Sequence, residues 1–216
     1  MLKTGFMKGD TIVEVMFAVA VFSLVAVGTI SIMNLGTSNS LQALQTTAAR
    51  QAIDAEVAAL QLMHDSFVAQ YNAASAASDY IGAGATWANQ IGLNPVASPG
   101  PLVLASATTP TKVIGQATCP AAPSKAFVLD PQTTTSYTGA TRLKQVSSST
   151  APYPQLVYTN TGAFNYALGI WVQAQAHAGI GSAPGYVDFY VNACWPSPSN
   201  KNAMTLGTIV RLYVPA

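Results

Sequence analysis

Residues 8–35 read KGDTIVEVMFAVAVFSLVAVGTISIMNL, and across the 24 residues from Ile12 to Leu35 the only charge is Glu14. At ~1.5 Å per residue a helix of this length reaches ~36 Å, enough to cross the ~30 Å hydrocarbon layer of a bilayer. A membrane segment is therefore expected. Lys3 and Lys8 precede it, and the next basic residue is Arg50. That asymmetry places the N-terminus in the cytoplasm and everything after Leu35 outside. An ordinary secretory signal has an uncharged core of about 7 to 15 residues followed by small residues at a distal cleavage site. Here the core is longer and holds a carboxylate in its first turn. An ionised carboxylate in lipid costs about 2.5 kcal/mol or more, so Glu14 calls for an interfacial position or a partner.

The rest of the chain differs from a cytosolic enzyme. Charged residues make up 8% of the 216 positions, about a third of the share in a typical soluble domain. The net charge is +1 and the basic residues are scattered, so no stripe marks a nucleic-acid footprint. Cys119 and Cys194 stand far apart, without a C-x-x-C spacing or a neighbouring His, which argues against a zinc site and a thioredoxin-type motif. A disulfide or two free thiols remain. The topology puts both cysteines outside the cytoplasm, where disulfides persist, and so favours a Cys119–Cys194 bridge.

Lys8-Gly9 followed by Asp10-Thr11-Ile12-Val13-Glu14-Val15 resembles the class III signal of type IV prepilins: a short basic leader ending in Gly, then a hydrophobic stretch with Thr second and Glu fifth. The resemblance implies that a membrane-embedded prepilin peptidase cuts between Gly9 and Asp10, that the new amino terminus at Asp10 is methylated, and that the hydrophobic segment is retained. It also implies a role for Glu14, pairing with the N-terminal ammonium of a neighbouring subunit when apolar helices pack into a filament core. An unpaired buried carboxylate is costly, so such a pair would fix the axial register. One departure stands out: Asp10 occupies the position where the family usually has Phe. A carboxylate there can neutralise the ammonium within its own chain, or favour the helix N-terminus through the macrodipole.

Beyond Gly36 no proline occurs before Pro95. Apolar residues recur at Leu41, Leu44, Ala48, Ala52, Ile53, Val57, Leu60, Met63, Phe67 and Tyr71, mostly three or four apart, with Arg50, Asp54 and Asp65 off the stripe. This pattern predicts an amphipathic helix to about Asn72; joined to the membrane segment, it gives roughly 60 helical residues, ~90 Å in length. Gly28 and Gly36 weaken it by about 1 kcal/mol each. The stretch from Ala73 to Ser124 reads mainly as loop, with a weak helical signal at Ala85 to Ile91. The Ser- and Thr-rich runs 106–111, 133–138 and 147–150 read as linker or as carriers of O-linked sugar. Strands are expected at Ala126 to Leu129, Leu156 to Thr159, Phe164 to Val172, Tyr186 to Asn192 and Thr205 to Val214, forming an antiparallel meander on the helix.

The expected fold class is α+β, pilin-like: a long N-terminal helix, apolar in its first half, bearing a C-terminal globular head built on an antiparallel sheet. Its parts are a leader (1–9), a transmembrane or filament-core helix (10–36), an amphipathic helix packed on the head (37–72) and an extracellular head (73–216). Asp188 and Arg211 are placed to pair across the last two strands. His64 and His177 have no ligand cluster in sequence and read as ordinary histidines. Trp87, Trp171 and Trp195 read as packing residues, with Trp195 also a candidate exposed contact. No catalytic residue, metal site or cofactor is expected. Gly82-Ala83-Gly84 lacks the third Gly and preceding strand of a dinucleotide loop.

The expected function is that of a structural subunit of a type IV pilus, serving adhesion, motility or DNA uptake. Its partners would be copies of itself, other pilins, the prepilin peptidase and the assembly machinery. It would begin as a single-pass membrane precursor and end in an extracellular fibre. The alternatives are a minor pilin or pseudopilin of a secretion or DNA-uptake system, and an extracellular hydrolase or binding module on an uncleaved anchor.

Overall fold

With no proline to interrupt it, the first part of the chain forms one helix, α1, spanning Asp10–Tyr71. The computed structural model describes residues 10–104, 110–111, 113, 115–120, 123, 125–130, 135–138, 143–144, 153–197 and 202–215. Helical geometry continues through Gly28 and Gly36 and through the polar run Thr37 to Ser40. The chain divides into two compact units between Ala43 and Leu44. The first carries the apolar part of α1, and the second is a globular head that includes the rest of the helix.

In the head, α1 buries Gln45, Ala49, Ile53, Glu56, Ala59, Leu60, Met63 and Phe67. The spacing of three and four is that of a single helix face. Two members of the expected stripe lie off it. Leu41 and Leu44 are 53% and 64% exposed: Leu41 precedes the head, and Leu44 is one residue out of phase with Gln45. Conversely, Gln45 and Glu56 are polar residues at stripe positions. After Tyr71, a 3-10 turn at Ala77–Asp79 leads to helix α2, Gly82–Gln90. This replaces part of the loop expected from Ala73 onward. The two helices approach closely at Gly84, whose N–H donates to Ser66 Oγ at 3.0 Å. A Cβ at Gly84 would stand 2.7 Å from Gln70 Nε2 and 3.0 Å from the Ser66 carbonyl oxygen. The Gln70 side chain also brackets the start of α2, accepting from Ile81 N at 2.9 Å.

The strands are β1 (Val103–Leu104), β2 (Phe127–Asp130), β3 (Thr135–Thr138), β4 (Leu143–Lys144), β5 (Gln155–Tyr158), β6 (Phe164–Leu168), β7 (Ile170–His177), β8 (Tyr186–Pro196) and β9 (Ala203–Tyr213). The larger sheet runs β3-β2-β7-β8-β9, with β1 also paired to β7, and the smaller runs β4-β6-β5. The expected antiparallel meander is present as β7-β8-β9. Two features depart from expectation. The pairs β1–β7 and β4–β6 are parallel, and the single run predicted from Phe164 to Val172 is two strands in two sheets. The break falls at Gly169, whose φ of +63° is a left-handed conformation that a side chain disfavours. Residues 135–138 of the Thr-rich run are strand rather than linker; residues 133–134, 106–109 and 147–150 of those runs lie outside the described residues.

The core joins helix and sheet through aromatic contacts. Phe67 stacks on Tyr80 at 4.9 Å, and Trp87 lies 5.0 Å from His64 and 5.6 Å from Phe189. Burying such rings supplies much of the driving force for a domain of this size. On β7 the residues that face away from this core are also covered. Gln173, 2% exposed, accepts from Thr111 N at 3.0 Å. The Cys119–Cys194 disulfide closes a separation of 75 residues, and Ala203 N donates to the Ala117 carbonyl at 2.9 Å. Trp195 is 1% exposed and is a core residue, not a surface contact. Its neighbours on β8 are sealed by the disulfide and by pairing with β9.

Candidate functional site

Helix α1 from Ile12 to Leu35 presents apolar side chains on every side. Phe17, Phe22 and Leu24 are 72%, 73% and 77% exposed, and no described residue in this span is buried. An isolated soluble monomer rarely leaves so large an apolar surface open. The three hydroxyl side chains in the span are folded back on the helix. Ser23 donates to the Val19 carbonyl at 2.7 Å, Thr29 to Val25 at 2.8 Å and Ser31 to Val27 at 3.0 Å. Thr37, just beyond, bonds the Met33 and Asn34 carbonyls at 3.0 Å each. A hydroxyl satisfied by the carbonyl four residues earlier needs no outside partner, which suits an apolar surround. It is the one helix among the described residues long and apolar enough to cross a membrane.

Glu14 is the single charged residue on this surface. Its side chain is exposed, and among the described residues it has no ion pair. Asp10 is the first described residue and is helical; Gly9 and the basic leader residues Lys3 and Lys8 lie outside the described residues.

The head holds a second cluster, at the end of the sheet where β7 ends and β8 begins. Arg211 on β9 grips Asp188 on β8 with two bonds, Nε to Oδ1 at 2.8 Å and Nη2 to Oδ2 at 3.0 Å. The expected cross-strand pair is thus formed, in direct register. The Arg211 guanidinium also lies 3.8 Å over the Tyr186 ring, and its pKa is raised, chiefly by the bond to Asp188. His177, read in sequence as isolated, stacks on Tyr186 at 4.7 Å and brings Nε2 to 3.4 Å from Asp188 Oδ2. Sequence distance hid this neighbour, because it lies across the β7–β8 pairing. His64 is likewise engaged, with Nε2 at 2.9 Å from the Tyr213 carbonyl oxygen. The cluster is a structural clasp, in which Arg211 holds the buried acid by two bonds.

Among the described residues no group of three or more His, Cys, Asp and Glu is placed to hold a metal. A cavity of about 260 Å³ between the Asn94–Ala97 turn, the β7–β8 loop and Val214–Pro215 is lined by no titratable side chain.

One residue with a marked environment escaped the sequence reading. Glu56 is fully buried, and its two carboxyl oxygens lie 3.3 and 3.0 Å from Leu129 N. Its signal was available: it sits three residues after Ile53 and four before Leu60, on the apolar stripe itself.

Comparison with family models, with curated proteins and with solved structures finds no match to this chain. The fold, a long N-terminal helix with an apolar first part and a C-terminal sheet head, is consistent with a pilin-like architecture and with a filament-forming subunit.

Proposed function

We propose that this chain is a pilin, the structural subunit of a type IV pilus or a closely similar filament, and that residues 12–35 of α1 are its assembly surface. The observation that carries this proposal is the all-round apolar exposure of that segment, with hydroxyls turned back on the helix and Glu14 as its single charge. Such a surface can be held first by lipid and then by copies of itself, because both surrounds are apolar. In this scheme the precursor is anchored with its N-terminus in the cytoplasm, cut between Gly9 and Asp10 and methylated at Asp10. It then moves laterally from the bilayer into the fibre. Its partners are identical subunits, other pilins and the membrane machinery that processes and assembles them. The chain carries out no reaction of its own; the head serves adhesion, motility or DNA uptake.

Glu14 supplies the register. In a core of packed apolar helices an unpaired carboxylate is strongly disfavoured, whereas one facing a neighbour's ammonium is not. Replacing Glu14 with Ala is expected to leave membrane insertion intact and to reduce the yield of sheared filaments at least about tenfold, by a pairing energy above about 1.4 kcal/mol. Filament yield equal to that of the parent would remove the pairing role.

A further inference from the structure

Glu56 is ionisable, fully buried and distant in function from the assembly surface. Its only hydrogen-bond partner among the described residues is the Leu129 N–H, at 3.3 Å from one oxygen and 3.0 Å from the other. No basic side chain is within ion-pair range of it among the described residues. Among the described residues the titratable side chain that bears on it is another acid, Asp130, 3% exposed on β2, whose Oδ1 accepts from the Tyr158 hydroxyl of β5 at 3.5 Å.

The contact sits where the sheet is weakest. Strand β2 pairs with β7 at a single position, Phe127 with Val172. In that register the next partner of Leu129 would be Ile170, but β7 starts there, directly after the turn at Gly169. Leu129 N–H therefore has no place in the β7 ladder, and the helix supplies Glu56 in its stead. Strand β3 is attached to the larger sheet through β2.

We propose that Glu56 is a proton-operated clamp: while protonated it holds β2, and through it β3, against α1, and when it releases its proton to solvent this corner of the sheet parts from the helix. The neutral acid is tolerated in an apolar core and still accepts the Leu129 N–H. The anion formed when its O–H bond breaks is held by one N–H, faces Asp130, and gains hydration only if β2 moves away. Burial pushes the Glu56 carboxyl up from 4.5 to about 8; the Leu129 N–H opposes the rise and Asp130 adds to it. The folded head thus keeps a proton that the unfolded chain gives up. The stability contributed by this group is full below pH 4.5, falls as pH rises toward 8, and changes no further above it.

The test is amide hydrogen exchange of the full chain in detergent micelles at pH 6 and pH 9, corrected for the intrinsic exchange rate. Residues 127–130 of the parent chain are expected to lose protection about tenfold or more at pH 9, while Glu56→Gln, which keeps an acceptor but cannot ionise, loses none. Equal losses in both chains, or no loss in the parent, would overturn the clamp. If the Gln variant does not fold, titration of the Glu56 carboxyl carbon by NMR in the parent decides: a midpoint near 8 supports the clamp, and one in the ordinary range near 4.5 overturns it. Both readouts are independent of filament formation.

Discussion

Arg211 and Asp188 form an unequal pair, and the inequality is measurable. The Asp188 side chain is 7% exposed and that of Arg211 is 46% exposed. Removing Arg211 leaves a buried carboxylate with only the longer 3.4 Å contact to His177 in place of its two short bonds, whereas removing Asp188 leaves a guanidinium that water can reach. Arg211→Ala is expected to lower the unfolding free energy by about 2 kcal/mol and Asp188→Ala by about 1 kcal/mol, read from urea denaturation of the full chain in micelles. An equal or reversed order would contradict the burial asymmetry. This pair was legible in sequence because opposite charges fell in two adjacent predicted strands. Glu56 and His177 were not. A polar residue on an apolar stripe has no local mark of its burial until the strand it meets is placed, and the acid beside His177 comes from the neighbouring strand, eleven residues on in sequence.

Among the elements, α1 and the last two strands, β8 and β9, followed from pattern, because a spacing of three and four or an alternation over many residues leaves little choice of structure. The short strands β2, β5 and β6 fall close to their expected places, but β1, β3 and β4 were not expected. The two-residue strands β1 and β4 owe their existence to β7 and β6, to which they pair, and no periodicity can announce them. Gly169 was not distinguished from other glycines, since a chain that switches sheets there and one that merely bulges have the same residue. The loop that covers β7 and β8 is fixed by Cys119–Cys194 across 75 residues. Chain-entropy arguments put the stabilisation from a crosslink of that span at about 4 kcal/mol. Replacing both cysteines with Ser is therefore expected to lower stability by about that amount. A change below about 1 kcal/mol in the same denaturation experiment would show that the loop is held by its other bonds, from Thr111 to Gln173 and from Ala203 to Ala117.

For the whole molecule, the decisive information is local and lies at one end of the chain. The fold class was readable because a segment apolar on all sides and a segment apolar on one side have different compositions, and each states its own surroundings. The helix spans both segments, and the head carries its own core, disulfide and clasp. What the chain does depends on whether the apolar segment is kept and exposed to other copies, or serves only to tether the head. N-terminal mass spectrometry of the protein sheared from the cell surface separates these outcomes most directly. A pilin subunit is expected to begin at Asp10, with the segment through Leu35 retained; a chain that begins at Met1, or one cut after Leu35, would contradict the pilin reading.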